Sequence, residues 1–395
     1  YINHSLATAE TLAEMGMDES TIIAGVLHDV PEDTDVTLDD IEKNFGKDVA
    51  YLVNGVTKLG TLKYRGMERY IENLRKMFLT MAEDIRVILI KFADRLHNIQ
   101  TLYALPPNKR KRIALETLEI YAPIANRLGM DEIKGKLEDI SFQYALPDEY
   151  AWVQSQMVER YHTKERHLKK VKKQLEEELG KEKIEYLKIE GRGKDLYSLY
   201  KKALRYDKDL SKINDLIALR IIVESIPECY TVLGTIHRRW RPIKGRVKDY
   251  IAQPKPNGYQ SLHTTVFSDD GEVIEFQIRT KEMHEEATYG IAAHWHYDEK
   301  GSIAVDKKFE WVKDLTGWKQ AINGEEYLEQ LKLNVFQNRI FVFTPRGDVI
   351  DLPEDATSID FAYHVHTDIG NQCTGARING QLVKLDSVLK SGDMC

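Results

Sequence analysis

The spacing of apolar residues changes character partway along this 395-residue chain, and that change constrains the fold more than any one motif. Up to residue 147, apolar positions recur at intervals of three and four. They do so in Leu6-Ala7-Thr8-Ala9-Glu10-Thr11-Leu12 and again from Met77-Phe78-Leu79 to Ile99, with turns such as Met15-Gly16-Met17-Asp18 and Pro106-Pro107-Asn108 between. This period predicts an all-α region that ends at Leu146-Pro147-Asp148. A long Glu- and Lys-rich helix over 150–183 follows, with Trp152, Val153, Met157, Leu168, Val171 and Leu175 as its buried stripe. Beyond it the spacing turns to alternation. Residues 186–189, 218–223, 263–267 and 273–278 are short β-branched runs between turn residues and read as strands of a mixed α/β domain reaching residue 325. The runs 339–343 and 348–352 flank Thr344-Pro345-Arg346-Gly347 as a hairpin. A helix near 358–363 and a strand at 375–379 complete a small β-rich module over 336–395. Three domains, 1–147, 148–325 and 336–395, suit a chain too long for one core.

Composition excludes several classes. The chain is 42% hydrophobic and 30% charged with net charge -7, which argues against a wholesale nucleic-acid coat and leaves room for a local basic site. Its three cysteines, Cys229, Cys373 and Cys395, have no paired spacing, so neither a disulfide framework nor a cysteine-rich zinc site is expected, and a reducing cytoplasm fits. The strongest apolar run, Val87-Ile88-Leu89-Ile90, stops at Lys91, far short of a membrane span. The chain opens on Tyr1 rather than methionine and closes just after a Ser-Gly-Asp turn. It is expected to be a piece of a longer protein, lacking the amino-terminal part of its first domain and the carboxy-terminal end of its third.

Two groups of residues carry chemistry. The first is His4, His28-Asp29 with Glu32-Asp33 one turn later, and Asp94-Arg95-Leu96-His97-Asn98. Imidazole and carboxylate together suit a hard or borderline divalent metal such as Mn, Fe or Zn. Such an ion polarises a phosphoryl oxygen or acidifies water, with a nearby carboxylate to take the proton. The plainer reading makes His28-Asp29 a helix-capping detail and Asp94-Arg95 an internal ion pair. The second group is Gly191-Arg192-Gly193-Lys194, Asp215, the basic stretch with Arg246 and Lys248, Pro254 to His263, and Glu275. A transferase acting on ATP clamps polyphosphate with cations and holds Mg with carboxylates. Gly191 to Lys194 is placed after a strand and before a helix, where backbone amides meet phosphates. Tyr259, in a tight turn beside cations, suits stacking on a base. Glu275 interrupts an apolar strand, so it either faces a partner or ion, or faces solvent.

The wording of both groups resembles the RelA/SpoT homologue family. Ala24-Gly25-Val26-Leu27-His28-Asp29-Val30-Pro31-Glu32-Asp33-Thr34 and Lys91-Phe92-Ala93-Asp94-Arg95-Leu96-His97-Asn98 resemble its HD-type hydrolase domain. Asp215-Leu216-Ile217-Ala218-Leu219-Arg220-Ile221, Gly258 to Thr265 and Glu275-Phe276-Gln277-Ile278-Arg279-Thr280 resemble its nucleotidyltransferase-like synthetase domain. Phe343-Thr344-Pro345-Arg346-Gly347 and Ala362 to Gly370 are similar to a TGS domain, a β-grasp fold. The resemblance implies Mn held by His4, His28, Asp29 and Asp94, with Glu32 and Asp33 activating water and Asn98 touching substrate. It implies Mg on Asp215 and Glu275, with Glu275 also deprotonating the acceptor hydroxyl. Arg192 is implied to pack on adenine, Tyr259 to stack on guanine, and His263 to lie near the acceptor's phosphates. Lys194, Lys202, Arg246, Lys248 and Lys255 are implied to contact phosphates. Arg246-x-Lys-Asp is the form of the bifunctional branch, which makes (p)ppGpp from ATP and GDP or GTP and removes its 3′-pyrophosphate. Two opposed activities imply that the sites are coupled. His366 matches a residue implicated in reading uncharged tRNA on the ribosome. The alternatives are a hydrolase-dominant enzyme and a tRNA or ribosome sensor with a silent synthetase.

Overall fold

A computed structural model describes residues 2–60, 77–78, 80–81, 83–193, 195–209, 217–255, 257–297, 339–345, 349–390 and 393–395. The chain divides into two compact units, Tyr1–Gly317 and Trp318–Cys395. The expected boundaries at 325 and 336 lie outside the described residues, as do Lys194 and Asp215.

The first unit opens with helices α1 (Ile2–Glu14), α2 (Glu19–Leu27), α3 (Val30–Asp33), α4 (Leu38–Phe45), α5 (Lys47–Gly60), α6 (Arg86–Gln100), α7 (Pro107–Glu116), α8 (Ala122–Arg127) and α9 (Asp131–Ala145). Local chemistry sets their ends. Asp18 accepts the Thr21 amide at the start of α2, and Thr37 with Asp40 forms a capping box at the start of α4. The apolar sequence of α6 follows from its place: it packs on α1, α2, α5 and α9, with Val87 to Ile90, Phe92, Ala93, Leu96 and Ile99 all buried. Gly25 lets α2 approach α1, since a Cβ there would stand 2.4 Å from Leu12 Cδ1. Between α7 and α8 the backbone widens into a π-turn over Thr117–Tyr121.

Helix α10 (Pro147–Lys181) begins on the proline that ended the helical period. Val153, Met157, Val171 and Leu175 of its expected stripe are fully buried, and Trp152 and Leu168 pack half-buried beside them. Each full burial is worth about 1.5–3 kcal/mol. A five-stranded sheet follows in the order β1-β2-β5-β4-β3: β1 (Lys188–Gly193), β2 (Ile217–Val223), β3 (Lys248–Asp249), β4 (Leu262–Phe267) and β5 (Val273–Thr280). Only β2 and β5 run parallel. Helix α12 (Ile226–Arg239), opened by a Ser225/Glu228 capping box, lies in the crossover that parallel pairing requires. Period two sorts the side chains. Ile189, Leu219, Ile221, Leu262, Val266, Ile274, Phe276 and Ile278 form one face, packed with α10 and α12 residues in a single core. The other face is polar. Helices α11 (Leu196–Leu204) and α13 (Lys281–Tyr289) both pack on α9, so the helical region and the sheet share one unit.

One local expectation is corrected. The first strand begins at Lys188 and continues through the glycine motif, with Gly191 paired to Leu219 and Gly193 to Ile217. These residues therefore lie in an edge strand rather than in a loop. Gly191 has a packing reason, because a Cβ there would lie 2.3 Å from Leu168 Cδ2 of α10.

In the second unit β6 (Arg339–Phe343) pairs antiparallel with β7 (Val349–Pro353), and residues 346–347 of the expected turn and 348 of the expected strand lie outside the described residues. Helices α14 (Ser358–Val365) and α15 (Thr367–Gln372) and the pair β8 (Ala376–Ile378) and β9 (Gln381–Val383) follow. Ile340, Val342, Leu352, Ala356, Phe361 and Leu389 form its core.

Candidate functional site

The helical region brings four separated side chains to one point. His4 projects from α1, His28 closes α2, Asp29 follows it, and Asp94 comes from the middle of α6. His4 Nε2 lies 3.3 Å from His28 Nε2, 3.2 Å from Asp94 Oδ1 and 3.5 Å from Asp29 Oδ2. His28 Nε2 lies 3.2 Å from Asp29 Oδ1 and 3.8 Å from Asp94 Oδ1. Both rings are oriented from behind. His28 Nδ1–H donates to the Gly25 carbonyl at 2.7 Å, and His4 Nδ1 shares a 2.8 Å bond with His97 Nδ1. Each ring then turns Nε2 toward the cluster, the orientation that a metal-ligating histidine adopts.

Charge tells the same story. Burial raises the pKa of Asp94, yet Lys91 Nζ at 2.6 Å and the two histidines hold it far below the carboxylate range. Burial disfavours protonated His28, but Asp29 and Asp94 overcome this and raise its pKa. A buried imidazole pushed toward its cation marks a place that favours positive charge, and this donor set fits a divalent ion of borderline hardness. Glu32 and Asp33 lie exposed on α3 just beyond Asp29. Burial raises the Glu32 pKa, Lys91 opposes it, and Asp29 and Asp33 add to the rise.

Two side chains here have partners that sequence reading did not foresee. Asn98 donates its amide to Asp94 Oδ1 at 2.5 Å, so it braces a cluster member from one turn along α6. Arg95 does not pair with Asp94. Successive helical positions point about 100° apart, and Arg95 reaches Glu116 at 3.0 Å while lying 4.1 Å over the Tyr121 ring. Sequence reading passed over Lys91 and His97 as participants. Their spacing of three residues on either side of Asp94 was the available signal.

The second group lies along the polar face of the sheet, assembled by register. Arg192 of β1 pairs with Ala218 of β2, which pairs with Glu275 of β5 and in turn with Thr265 of β4. The next rung on the same face is Glu190, Arg220, Gln277 and His263, with Lys248 of β3 beside His263. Glu275 therefore faces away from the Ile274–Phe276–Ile278 core, and its Oε1 accepts from His263 Nδ1–H at 2.9 Å. His263 Nε2 accepts the Tyr259 hydroxyl at 2.8 Å. Burial lowers the His263 pKa, Glu275 opposes this, and Lys255 and Lys248 add to the lowering, so the ring is neutral and bridges the two. Gly258, at φ +82°, closes the turn in which the Gly258 amide bonds the Lys255 carbonyl. That turn stacks Lys255 Nζ 4.5 Å over Tyr259 and 4.8 Å over Tyr250.

Of the other expected residues, Arg246 and Lys248 are exposed on and before β3, and Lys202 is half-buried on α11. Arg220, Gln277 and Arg279 were missed. Arg220 meets Glu190 at 3.0 Å; Arg279 is 2% exposed and donates to His284 Nδ1 at 2.7 Å. Burial, followed by Arg220, lowers Arg279 to about 10. Polar residues at every second place of β5 were the sign of this face. In the second unit His366 sits between α14 and α15, exposed, accepting the Asp368 amide at 3.2 Å.

The chain thus holds a histidine–carboxylate cluster on a helical bundle, a sheet face rich in cations, and a small β-rich unit. The HD domain matches residues 1–131, the region found in RelA and SpoT proteins matches 191–302, and the TGS domain matches 340–395. A probable guanosine-3′,5′-bis(diphosphate) 3′-pyrophosphohydrolase of Synechocystis is 50% identical over the whole chain, which covers 53% of that protein. A GTP pyrophosphokinase of Myxococcus xanthus is 45% identical over the whole chain and 53% of its own length. The bifunctional (p)ppGpp synthase/hydrolase SpoT of Escherichia coli is 45% identical over 99% of the chain and 56% of its own length. The chain belongs to the RelA/SpoT homologue family. It spans about half the length of the curated relatives it matches. Its HD and RelA/SpoT domains are of divalent-metal-dependent kinds. No described helix is long and apolar enough to cross a membrane.

Proposed function

We propose that this chain is the catalytic part of a bifunctional, cytoplasmic alarmone enzyme. It transfers pyrophosphate from ATP to the 3′-hydroxyl of GDP or GTP and hydrolyses the 3′-pyrophosphate of (p)ppGpp. The observation that carries this reading is the pairing of an acceptor-lined cluster with a donor-lined sheet face on one unit. At the first site His4, His28, Asp29 and Asp94 would hold Mn, which when bound supplies a polarised phosphoryl oxygen and an acidified water. Glu32 and Asp33 take the water's proton. Lys91, His97 and Asn98 keep the ligand atoms aimed inward.

At the second site Asp215 and Glu275 would hold Mg, which neutralises polyphosphate charge. Arg192 packs on adenine, and Lys194, Lys202, Arg246, Lys248 and Lys255 meet phosphates. Tyr259 stacks on guanine. Glu275, steered by neutral His263, takes the proton of the acceptor hydroxyl as that oxygen attacks the β-phosphorus of ATP; the bond to the α-phosphate oxygen breaks and AMP leaves. His366 and the exposed segment around it would face uncharged tRNA on the ribosome.

A paired assay tests this reading: ATP, GDP and Mg in one tube, ppGpp and Mn in another, each with Glu275→Gln and Asp94→Ala. Each substitution is expected to remove its own reaction by at least about a hundredfold and spare the other. Synthesis that survives Glu275→Gln would refute the carboxylate assignment. Absence of both reactions from the unaltered chain would favour a tRNA-binding role.

A further inference from the structure

Helix α11 starts in an unusual way. Asp195, the residue at its N-cap, makes no capping bond with its side chain. The first amides turn to a carboxylate far back in the sequence. Asp139 Oδ2 accepts from the Leu196 amide at 3.0 Å, and Asp139 Oδ1 accepts from the Tyr197 amide at 3.0 Å. One position before it on α9, Glu138 is 4% exposed and takes the Lys201 ammonium at 2.7 Å. One turn earlier Gly135 admits Asp195, whose Oδ2 would lie 3.2 Å from a Cβ there. Asp195 itself stands 3.7 Å from Arg192 Nη2.

A residue just before a helix ordinarily serves its first amides. Here the local carboxylate faces Arg192, and the cap comes from another helix. We propose that Asp139 is a positioning residue for pyrophosphate transfer: by capping α11 from α9 it leaves Asp195 to orient Arg192 and fixes the helix that carries Lys202. This rests on the synthetase reading above.

The cap has a pH limit. Burial raises the Asp139 pKa, the two amides lower it, and Asp195 and Glu138 raise it again, to about 6. The other groups packed around it are Arg192 beside Asp195, Lys134 and Lys201 on Glu138, and Tyr197. Below about 6 the carboxyl takes a proton, and one of its two acceptor oxygens becomes a donor. The folded chain binds that proton more readily than the unfolded chain, whose ordinary value is 3.8, so acidification breaks the cap without loosening the fold through this group.

The test uses the whole chain and the variants Asp139→Asn and Glu138→Gln. Transfer from ATP to GDP, hydrolysis of ppGpp, binding of a non-hydrolysable ATP analogue and thermal unfolding are followed between pH 5.5 and 8. Asp139→Asn is expected to lower transfer about fivefold at pH 7.5, mainly through KM for ATP, and to weaken analogue binding. It should also remove an acid limb near pH 6 that the unaltered chain and Glu138→Gln both show, with hydrolysis and unfolding temperature unchanged. Unaltered transfer, analogue binding and acid limb in Asp139→Asn overturn the proposal, as does a joint loss of both activities and unfolding temperature. An unaltered chain that neither transfers pyrophosphate nor binds the analogue at any pH overturns the synthetase reading, and this proposal with it.

Discussion

The two candidate sites are electrostatic opposites built by different geometries. In the helical region, acceptors from three helices surround a point, and the cluster has no identity until α1, α2 and α6 are packed. On the sheet, Arg192, Arg220, Arg279 and Lys248 spread over a plane whose arrangement follows from strand register alone. The histidines record the difference. Carboxylates outweigh burial and raise His28; burial and nearby cations lower His263 and His284. A point of acceptors suits one small cation, and a plane of donors suits an extended polyphosphate. The contrast also separates structural dependence. Asp94 is 4% exposed and its partner Lys91 keeps 12% of its side chain open, whereas the Glu275 side chain keeps 17% open on the polar face of a finished sheet.

Stability should follow that separation. Asp94→Ala leaves Lys91 buried without its carboxylate and is expected to cost about 3–5 kcal/mol along with hydrolysis. Glu275→Gln keeps an oxygen for His263 and is expected to stay within about 1 kcal/mol while synthesis disappears. Urea midpoints of the two variants compare the sites directly. Equal losses would mean that the sheet face is as much a part of the core as the helical cluster.

A cation alone should also tell the sites apart. Ligand that binds only the folded chain stabilises it by about 2.7 kcal/mol at a hundred times its Kd, enough to raise the unfolding temperature by a few degrees in a chain of this size. Mn is expected to give that shift in the unaltered chain, chelator to reverse it, and Asp29→Asn to abolish it. Asp29 is the most exposed carboxylate of the cluster, so its loss should spare the fold. A shift that persists in Asp29→Asn would place the metal elsewhere.

How much of this was readable in advance depends on the range of the interaction. The change of period from three-and-four to two separated helices from strands, and Pro147 marked the start of α10, because these are local preferences. The candidate residues were legible as wording, yet their partners were not. Lys91 against Asp94 is a helical i,i+3 pair open to sequence, but His97 behind His4 and Asp139 beneath α11 join segments 93 and 57 residues apart through packing that no local pattern encodes. The glycine motif failed for the same reason: Gly191 answers to Leu168 of α10, a contact invisible in its own segment. Strand order, which decides that Glu275 lies next to Ala218, also had to come from the fold.

The smallest expected effect concerns His284, and it has the opposite sign to that of Asp139. His284 Nδ1 accepts from Arg279, so this ring is useful to the fold only when neutral. Burial first, then Arg279 and Arg220, push its pKa down to about 4. The unfolded chain takes up the proton near the ordinary 6.5, so between those values it binds more protons than the folded chain. The stability His284 contributes is therefore complete above about 6.5 and declines as pH falls toward 4. The full shift corresponds to about 3 kcal/mol, and partial solvent exposure reduces it to about 1 kcal/mol. His284→Gln retains an acceptor for Arg279 without a titrating proton. Its urea midpoint should fall less than that of the unaltered chain between pH 7.5 and 5. If the two fall in parallel, the cationic face does not govern this ring, and the electrostatic contrast between plane and point is confined to the residues nearest the substrate.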